Sequence, residues 1–398
     1  MEHLCLINER KRRDYIFFLK AMIKCYGAFY HSFFVRKGSM KKYIRIPLLI
    51  VGIILAIVII YVAYVFLSYR RIEDYQPLTV NMSLEEKDFQ KVEAGEVYSA
   101  VTYNAGFGAY LPEFSFFMDG GTQSKAKDAE SVYYSISGAA ECMKGYEPDF
   151  LLLQEVDLDS TRSYHIDQYD LFRKSFADMQ STFAVNYDSA FLMYPILDPH
   201  GKSKAGIATF SAYEMTEGMR RSLPITESVM KLVDLDRCIS VNRIPVDNGK
   251  ELILVNVHMS AYGNSDEIRE GQIGLLTQVM EEEYAKGNYV IVGGDYNHNL
   301  KLLGDVTGEF ESWAYPFPRE ALPEHFAFCI DAFSEDEREQ MWNTSRNADM
   351  AYVPDVTYTI TLDGFILSDN VECAKYEHVN TGYAYSDHEP VYMEFWLK

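Results

Sequence analysis

The sequence lacks closely spaced cysteines. Its six, Cys5, Cys25, Cys142, Cys238, Cys329 and Cys373, all stand more than four residues apart. That excludes the C-x-x-C spacing of zinc ribbons and dithiol redox sites. Scattered buried thiols account for them, and one disulfide in the C-terminal part stays open. Internal repeats and low-complexity tracts are absent too, which removes repeat architectures. Positive charge is scarce beyond the N-terminus. The formal net charge is −21, from 37 Lys+Arg and 58 Asp+Glu. Residues 1–71 hold 13 basic and 3 acidic residues, leaving 24 basic and 55 acidic residues, a net of −31, on the remainder. A body that acidic gains little from sequence-independent attraction to a phosphate backbone. A bound divalent cation or a local basic groove can still reverse the sign at a site.

What is present begins with a basic N-terminal segment, residues 1–47, including Arg10-Lys11-Arg12-Arg13 and Lys41-Lys42. An apolar run follows, residues 48–67. Its twenty residues, at a rise of about 1.5 Å each, reach about 30 Å, the thickness of a bilayer core. Bulky Tyr64, Phe66 and Tyr69 occupy the place where a cleaved signal peptide carries small residues, so the run reads as an uncleaved anchor. The basic flank precedes it, which places the N-terminus in the cytoplasm and residues 72–398 outside the cell, as a single-pass protein of the cell membrane. Met40 before Lys41-Lys42 is an alternative start. Residues 68–96 read as a stalk, with a capping box at Ser83-Leu84-Glu85-Glu86 opening a short helix.

With 48% hydrophobic residues, the remaining 97–398 can bury a large core. Val97–Asn104 is β-rich and ends in an amide. Residues 124–146 have helical spacing, with Ala129, Val132, Tyr133, Ile136, Ala140 and Met143 toward one side. Phe150–Glu155, 206–211, 238–244 and Leu252–His258 read as strands, 266–286 as a helix, and 361–367 and 390–396 as the last strands. Strand, helix, strand at these lengths indicates a layered α/β architecture. Residues 308–356 read as a probable insertion, aromatic and proline-rich at Trp313–Pro318. The run Val290-Ile291-Val292-Gly293-Gly294-Asp295-Tyr296-Asn297 reads as a buried strand that stops at two glycines, which let the backbone turn and something approach.

Strands end repeatedly in groups that suit phosphate-ester hydrolysis: Asn104, Glu155, His258, Asp295 with Asn297, and Asp387-His388 before the last strand. Each has an ordinary reading alone, as a cap, a solvated turn or a satisfied histidine. Together they form a pattern. Hard divalent cations take oxygen ligands, with Glu155 the best candidate and Asp387 second. His and Asp activate water for attack on phosphorus. The metal, an imidazolium and amide donors stabilise the charge that develops.

The series Tyr103-Asn104, Leu153-Gln154-Glu155, Val257-His258, Gly294-Asp295-Tyr296-Asn297, Leu362-Asp363-Gly364-Phe365 and Ser386-Asp387-His388 resembles the endonuclease/exonuclease/phosphatase (DNase I-like) superfamily over residues 97–398. The resemblance implies an α/β (α+β) fold, a four-layer sandwich of two mixed β-sheets flanked by helices, here preceded by one transmembrane helix. It implies Mg²⁺, with Mn²⁺ as a possible substitute, held by Glu155 with Asn104 and Asp387. It implies that His258 contacts the scissile phosphate and Asp295 positions or deprotonates the attacking water. Asn297 then binds phosphate, and His388 is oriented by Asp363. Gly364 departs from the family's usual pattern and is expected to widen the site beside Asp363. Arg346 and Trp313, in the insertion, are candidates for a substrate-binding wall. The implied activity is a membrane-anchored, metal-dependent phosphoesterase for a phospholipid headgroup or small phosphate ester. The alternatives are an extracellular nuclease acting on DNA or RNA, and a catalytically inactive binding module. No protein partner is expected.

Overall fold

The computed structural model describes Lys24 and residues 42–232, 234–261, 266–303 and 314–398. Two units separate, residues 1–63 and 64–398. Helix α1 (Lys42–Ser68) contains the apolar segment Ile46–Ser68, long and apolar enough to cross a membrane.

The strands are β1 (Gln76–Leu78), β2 (Val97–Asn104), β3 (Phe150–Asp157), β4 (Gln180–Asp188), β5 (Lys204–Ser211), β6 (Glu217–Ser222), β7 (Cys238–Pro245), β8 (Glu251–His258), β9 (Tyr289–Asp295), β10 (Phe326–Phe328), β11 (Ser345–Arg346), β12 (Thr359–Ile360), β13 (Asp363–Ser368), β14 (Val371–His378) and β15 (Val391–Leu397). One sheet has the order β1-β6-β7-β8-β9-β13-β10, the other β14-β15-β2-β3-β5-β4, and β11 pairs with β12 alone. Both large sheets are mixed. The pairs β2/β3 and β8/β9 are parallel, and the other pairs of strands are antiparallel. A parallel neighbour needs a crossover, and each pair has a helix for it: α2 (Ala129–Lys144) between β2 and β3, and the helix Asp266–Tyr284 between β8 and β9. Helix α3 (Gln168–Ser175) follows β3; Asp266–Tyr284 is α4, and α5 is Glu335–Gln340.

Strand periodicity sorts the core into layers. Ala100, Phe150 and Leu152 join the cluster that includes Leu254, Ile291, Phe365 and Met393, between the sheets. Their alternates Val101, Tyr103, Leu151 and Leu153 pack with Val132, Ile136 and Met143 of α2. Helix α4 contributes Ile273, Leu276 and Met280 to the first cluster. The result is the expected order of helix, sheet, sheet and helix.

Several expectations need correction. The segment read as a stalk is woven into the body: β1 forms the edge of the seven-stranded sheet against β6, and Val92 is fully buried with a bridge to Val246. No helix follows Ser83, whose hydroxyl instead bonds the Glu85 carbonyl. Helix α2 starts at Ala129 with an Asp128–Ser131 capping box, and Tyr133 points outward, 49% exposed. The described part of 308–356 belongs to the sheet system, because β10 extends the seven-stranded sheet beside β13. Trp313 lies outside the described residues.

The two glycines of β9 do not turn the chain. The strand runs through both to Asp295. A Cβ at Gly293 would stand 2.6 Å from the Phe365 ring, and one at Gly294 2.0 Å from the Val257 carbonyl oxygen. What approaches is the protein's own neighbouring strands. Gly364 does not widen the site either, since a Cβ there would meet Tyr376 and Leu300 at 3.0 and 3.1 Å, away from the catalytic groups.

Candidate active site

The parallel pairs aim their C-terminal ends at one edge of the sandwich. Asn104 ends β2, His258 ends β8 and Asp295 ends β9. Asp363 opens β13 directly opposite Asp295. Glu155 lies at a bulge between β3 and β5 and takes φ 51°, an uncommon conformation for a glutamate that re-aims its side chain. Beneath these groups the sheets are stitched by amides. Gln154 Nε2 donates to Asn256 Oδ1 at 2.8 Å and to Thr102 Oγ1 at 3.2 Å, and Asn256 Nδ2 donates to the Ala208 carbonyl at 2.9 Å.

Asp295 is the hub. Its Oδ2 accepts from Asn104 Nδ2 at 3.1 Å and Asn297 Nδ2 at 3.3 Å, and its Oδ1 accepts from the Asn297 amide at 2.9 Å. His258 Nε2 lies 3.6 Å and His388 Nε2 3.9 Å from the same Oδ2. His258 Nε2 is also 3.8 Å from Glu155 Oε1. Asp363 Oδ2 accepts from His388 Nδ1 at 2.8 Å and from Thr344 Oγ1 at 2.7 Å. Asn297, in a left-handed conformation, also donates to the Met259 carbonyl at 2.9 Å, so its amide braces the hub.

Environment separates the protonation states. Burial pushes the Asp295 carboxyl up to about 7, with His388 opposing and Asp363 adding to the shift. Burial holds the His258 imidazole well below its ordinary value, helped by Arg237 and His388. Burial works the same way on His388, but Asp363 and Asp295 outweigh it and raise that imidazole well above its ordinary value. The two histidines, both facing Asp295 Oδ2, are thus driven in opposite directions, His258 toward the neutral form and His388 toward the charged one. Splits of this kind set acid and base roles.

The expected cation ligands form a neighbouring cluster. Burial raises the Glu155 carboxyl, Arg162 opposes, and Asp387 raises it further. Burial raises Asp387 as well, against His388 and Arg346. Gly106, at φ 50°, leaves room for this pair: a Cβ there would be 2.9 Å from Asp387 Oδ1. The two carboxylates offer oxygen donors only, a set that fits a hard divalent cation, while Asn104 turns Nδ2 toward Glu155 Oε1 at 3.5 Å and its Oδ1 accepts from the Gly106 amide at 3.0 Å. The most compact ligand-type group among the described residues is a different one, Asp295, Asp363 and His388, with donor atoms within 4.8 Å of one another. There the His388 imidazole already stands between the two acids, 2.8 Å from Asp363 and 3.9 Å from Asp295.

Arg346 is buried and donates to the carbonyls of Tyr110 and Leu111 at 3.2 and 3.1 Å, beside Asp387. It tethers the loop after β2 to β11. Sequence reading missed Thr344, Arg162 and Arg237. Arg162 pairs with Asp157 at 2.9 Å and stacks on Phe107 at 3.8 Å, holding the loops around Glu155. Arg237 is 6% exposed, and its Nε and Nη1 find no hydrogen-bond partner among the described residues. It stands just before β7, outside every motif, so nothing in the sequence marked it.

A two-sheet α/β sandwich with acids, amides and histidines gathered at one edge defines a hydrolase acting on phosphate esters. The model of the Endonuclease/Exonuclease/phosphatase family matches residues 101–388, and the chain belongs to that family. Among solved structures, zebrafish (D. rerio) TDP2 complexed with a single-strand DNA product is 16% identical at a TM-score of 0.50, covering 75% of this chain and 99% of that one. An endonuclease/exonuclease/phosphatase from Beutenbergia cavernae is 14% identical at a TM-score of 0.50, covering 76% and 72%. Both share the fold with this chain. No curated protein sequence matches it.

Proposed function

We propose that the protein is a membrane-anchored, divalent-metal-dependent phosphoesterase that hydrolyses a phospholipid headgroup or small phosphate ester by direct water attack. One observation carries the reading: Asp295 Oδ2 lies within 3.9 Å of both the His258 and the His388 imidazole, and Arg237, whose Nε and Nη1 have no hydrogen-bond partner among the described residues, acts on His258 from nearby. Asp295 orients the attacking water and takes its proton. His388, held by Asp363, supplies positive charge and a proton at Nε2. His258 and Arg237 receive the phosphoryl oxygens. Glu155, Asp387 and Asn104 would hold Mg²⁺ or Mn²⁺, which supplies Lewis-acid stabilisation of the phosphoryl charge. The acidic body and the apolar helix favour a lipid or small ester over a nucleic acid, with the catalytic part outside the cell.

The test is a substrate panel on the full chain in detergent: phospholipids, sphingomyelin, inositol phosphates, a chromogenic phosphodiester, plasmid DNA and RNA. The reading expects turnover of a lipid or small ester, lost with EDTA and in Glu155→Gln and His388→Ala. Preferential cleavage of DNA or RNA would make it a nuclease. No turnover and no metal binding would make it a binding module. Protection of the body from protease on intact cells would overturn the extracellular placement.

A further inference from the structure

The connection between β4 and β5 leaves the sheet at its catalytic edge. Asp157, two residues beyond Glu155, pairs with Ala205, and Lys204 pairs with Asp188. The base of this connection is firmly held. Leu192 and Gly201 exchange backbone hydrogen bonds at 2.9 and 3.0 Å. His200 Nδ1 bonds the Ser124 carbonyl at 2.9 Å, and the Ser124 hydroxyl donates to the Asp198 carbonyl at 2.6 Å. The tip is apolar and faces outward: Tyr194 is 69%, Ile196 81% and Leu197 99% exposed. Large aliphatic side chains on a pinned loop are a costly surface for a protein surrounded by water. The neighbouring acid does not offset them, because Asp198 is turned to Lys125 at 2.5 Å.

Two further observations say what covers this tip. The amide of Phe191, at the base of the loop, donates to the hydroxyl of Tyr64 at 3.1 Å. Tyr64 lies in the last turn of the apolar helix α1, where amphipathic aromatic rings mark the membrane–water boundary. Both residues belong to the unit 64–398, so the loop base is joined to the first residue of the body. The apolar surface also continues along the catalytic edge. Phe117 packs on Tyr194 with ring centroids 5.7 Å apart, and its neighbour Met118 is 60% exposed.

We propose that the β4–β5 loop dips Ile196 and Leu197 into the same bilayer leaflet that α1 leaves, turning the catalytic edge toward the membrane. This rests on the membrane-anchor reading and deepens it. The site then draws its phosphate esters from lipid headgroups in that leaflet rather than from solution. A single spanning helix leaves the body free to rotate, and a second apolar contact beside the site removes that freedom.

The test uses the full chain reconstituted in phosphatidylcholine vesicles. A solvatochromic fluorescent amino acid replaces Leu197, or, as the control, exposed Ala285 at the opposite end of the sandwich. The reporter at 197 is expected to shift to the blue and to be quenched by acyl-chain nitroxide lipid, and the reporter at 285 to do neither. If the chain resists carbonate extraction while both reporters emit as in water, the anchor stands and the loop proposal falls. If carbonate extracts the chain, the anchor reading fails and takes the proposal with it. Ile196→Asp with Leu197→Asp supplies a second readout. Because both side chains are exposed, hydrolysis of a soluble chromogenic phosphodiester should be unchanged. Hydrolysis of vesicle-borne lipid should fall roughly tenfold or more. Equal rates on both substrates in the variant and the parent would overturn the proposal.

Discussion

Thr344 offers the sharpest check on how the site is held. It is fully buried, and its hydroxyl does two things. It donates to Asp363 Oδ2 at 2.7 Å, and it accepts from the amides of Leu362 and Asp363 at 3.0 and 3.1 Å. Asp363 in turn fixes His388 at 2.8 Å. Thr344→Val keeps the shape and removes the hydroxyl. A hydrogen bond to a charged acceptor contributes about 1.5–3 kcal/mol, and a stranded buried amide costs about 1–3 kcal/mol. With both amides stranded, the variant should therefore lose at least about 3.5 kcal/mol of stability, inside the range a folded domain tolerates. With one of its two donors gone, Asp363 holds the imidazole less tightly, and kcat should fall about tenfold with KM unchanged. Urea unfolding followed by tryptophan fluorescence and a chromogenic phosphodiester assay read the two effects. Thr344→Ser should restore both. A valine variant with wild-type midpoint and wild-type kcat would refute the role given to this hydroxyl, as would lost stability with kcat untouched.

Other expectations follow from the same geometry. Arg237→Met should lower kcat/KM about 10–100-fold, the loss of a charge-assisted hydrogen bond to substrate, without lowering the unfolding midpoint; a destabilised variant would make Arg237 a structural residue. Gly293→Ala should destabilise by about 1–3 kcal/mol through overpacking, because its Cβ would stand 2.6 Å from the Phe365 ring; partial recovery in the Phe365→Leu background would confirm the clash. Burial holds His200 at about 4, aided by Arg162, and burial holds His378 at about 4 as well. Both are neutral in the fold and gain protons on unfolding, so their stabilisation is present above the unfolded pKa of about 6.5 and is lost as pH falls toward 4, at roughly 3 kcal/mol each. Urea midpoints that stay flat between pH 7 and 4.5 would contradict this.

The sequence by itself determined the strands that carry the chemistry. Val97–Asn104, Phe150–Glu155, Leu252–His258 and the run into Asp295 are apolar, β-branched and terminated by a polar group, and that pattern is local. It also marked the membrane-length apolar run, because length and composition suffice there. Tertiary structure decided what depends on partners distant in the chain. The short or polar strands β1, β4, β6, β10 and β14 have no periodicity that distinguishes them; each forms because an existing sheet edge offers hydrogen bonds. The glycines of β9 looked like a turn because a sequence does not reveal that Phe365 and the Val257 carbonyl fill the space. Gly364 misled for the same reason. Within the site, residue types gave the acids and histidines, while only packing separated their charges. Desolvation leaves His258 neutral, and two carboxylates across β9 and β13 keep His388 protonated. Thr344 and Arg237 were invisible in the sequence, since a lone threonine and a lone arginine acquire meaning only from the buried groups the fold sets beside them.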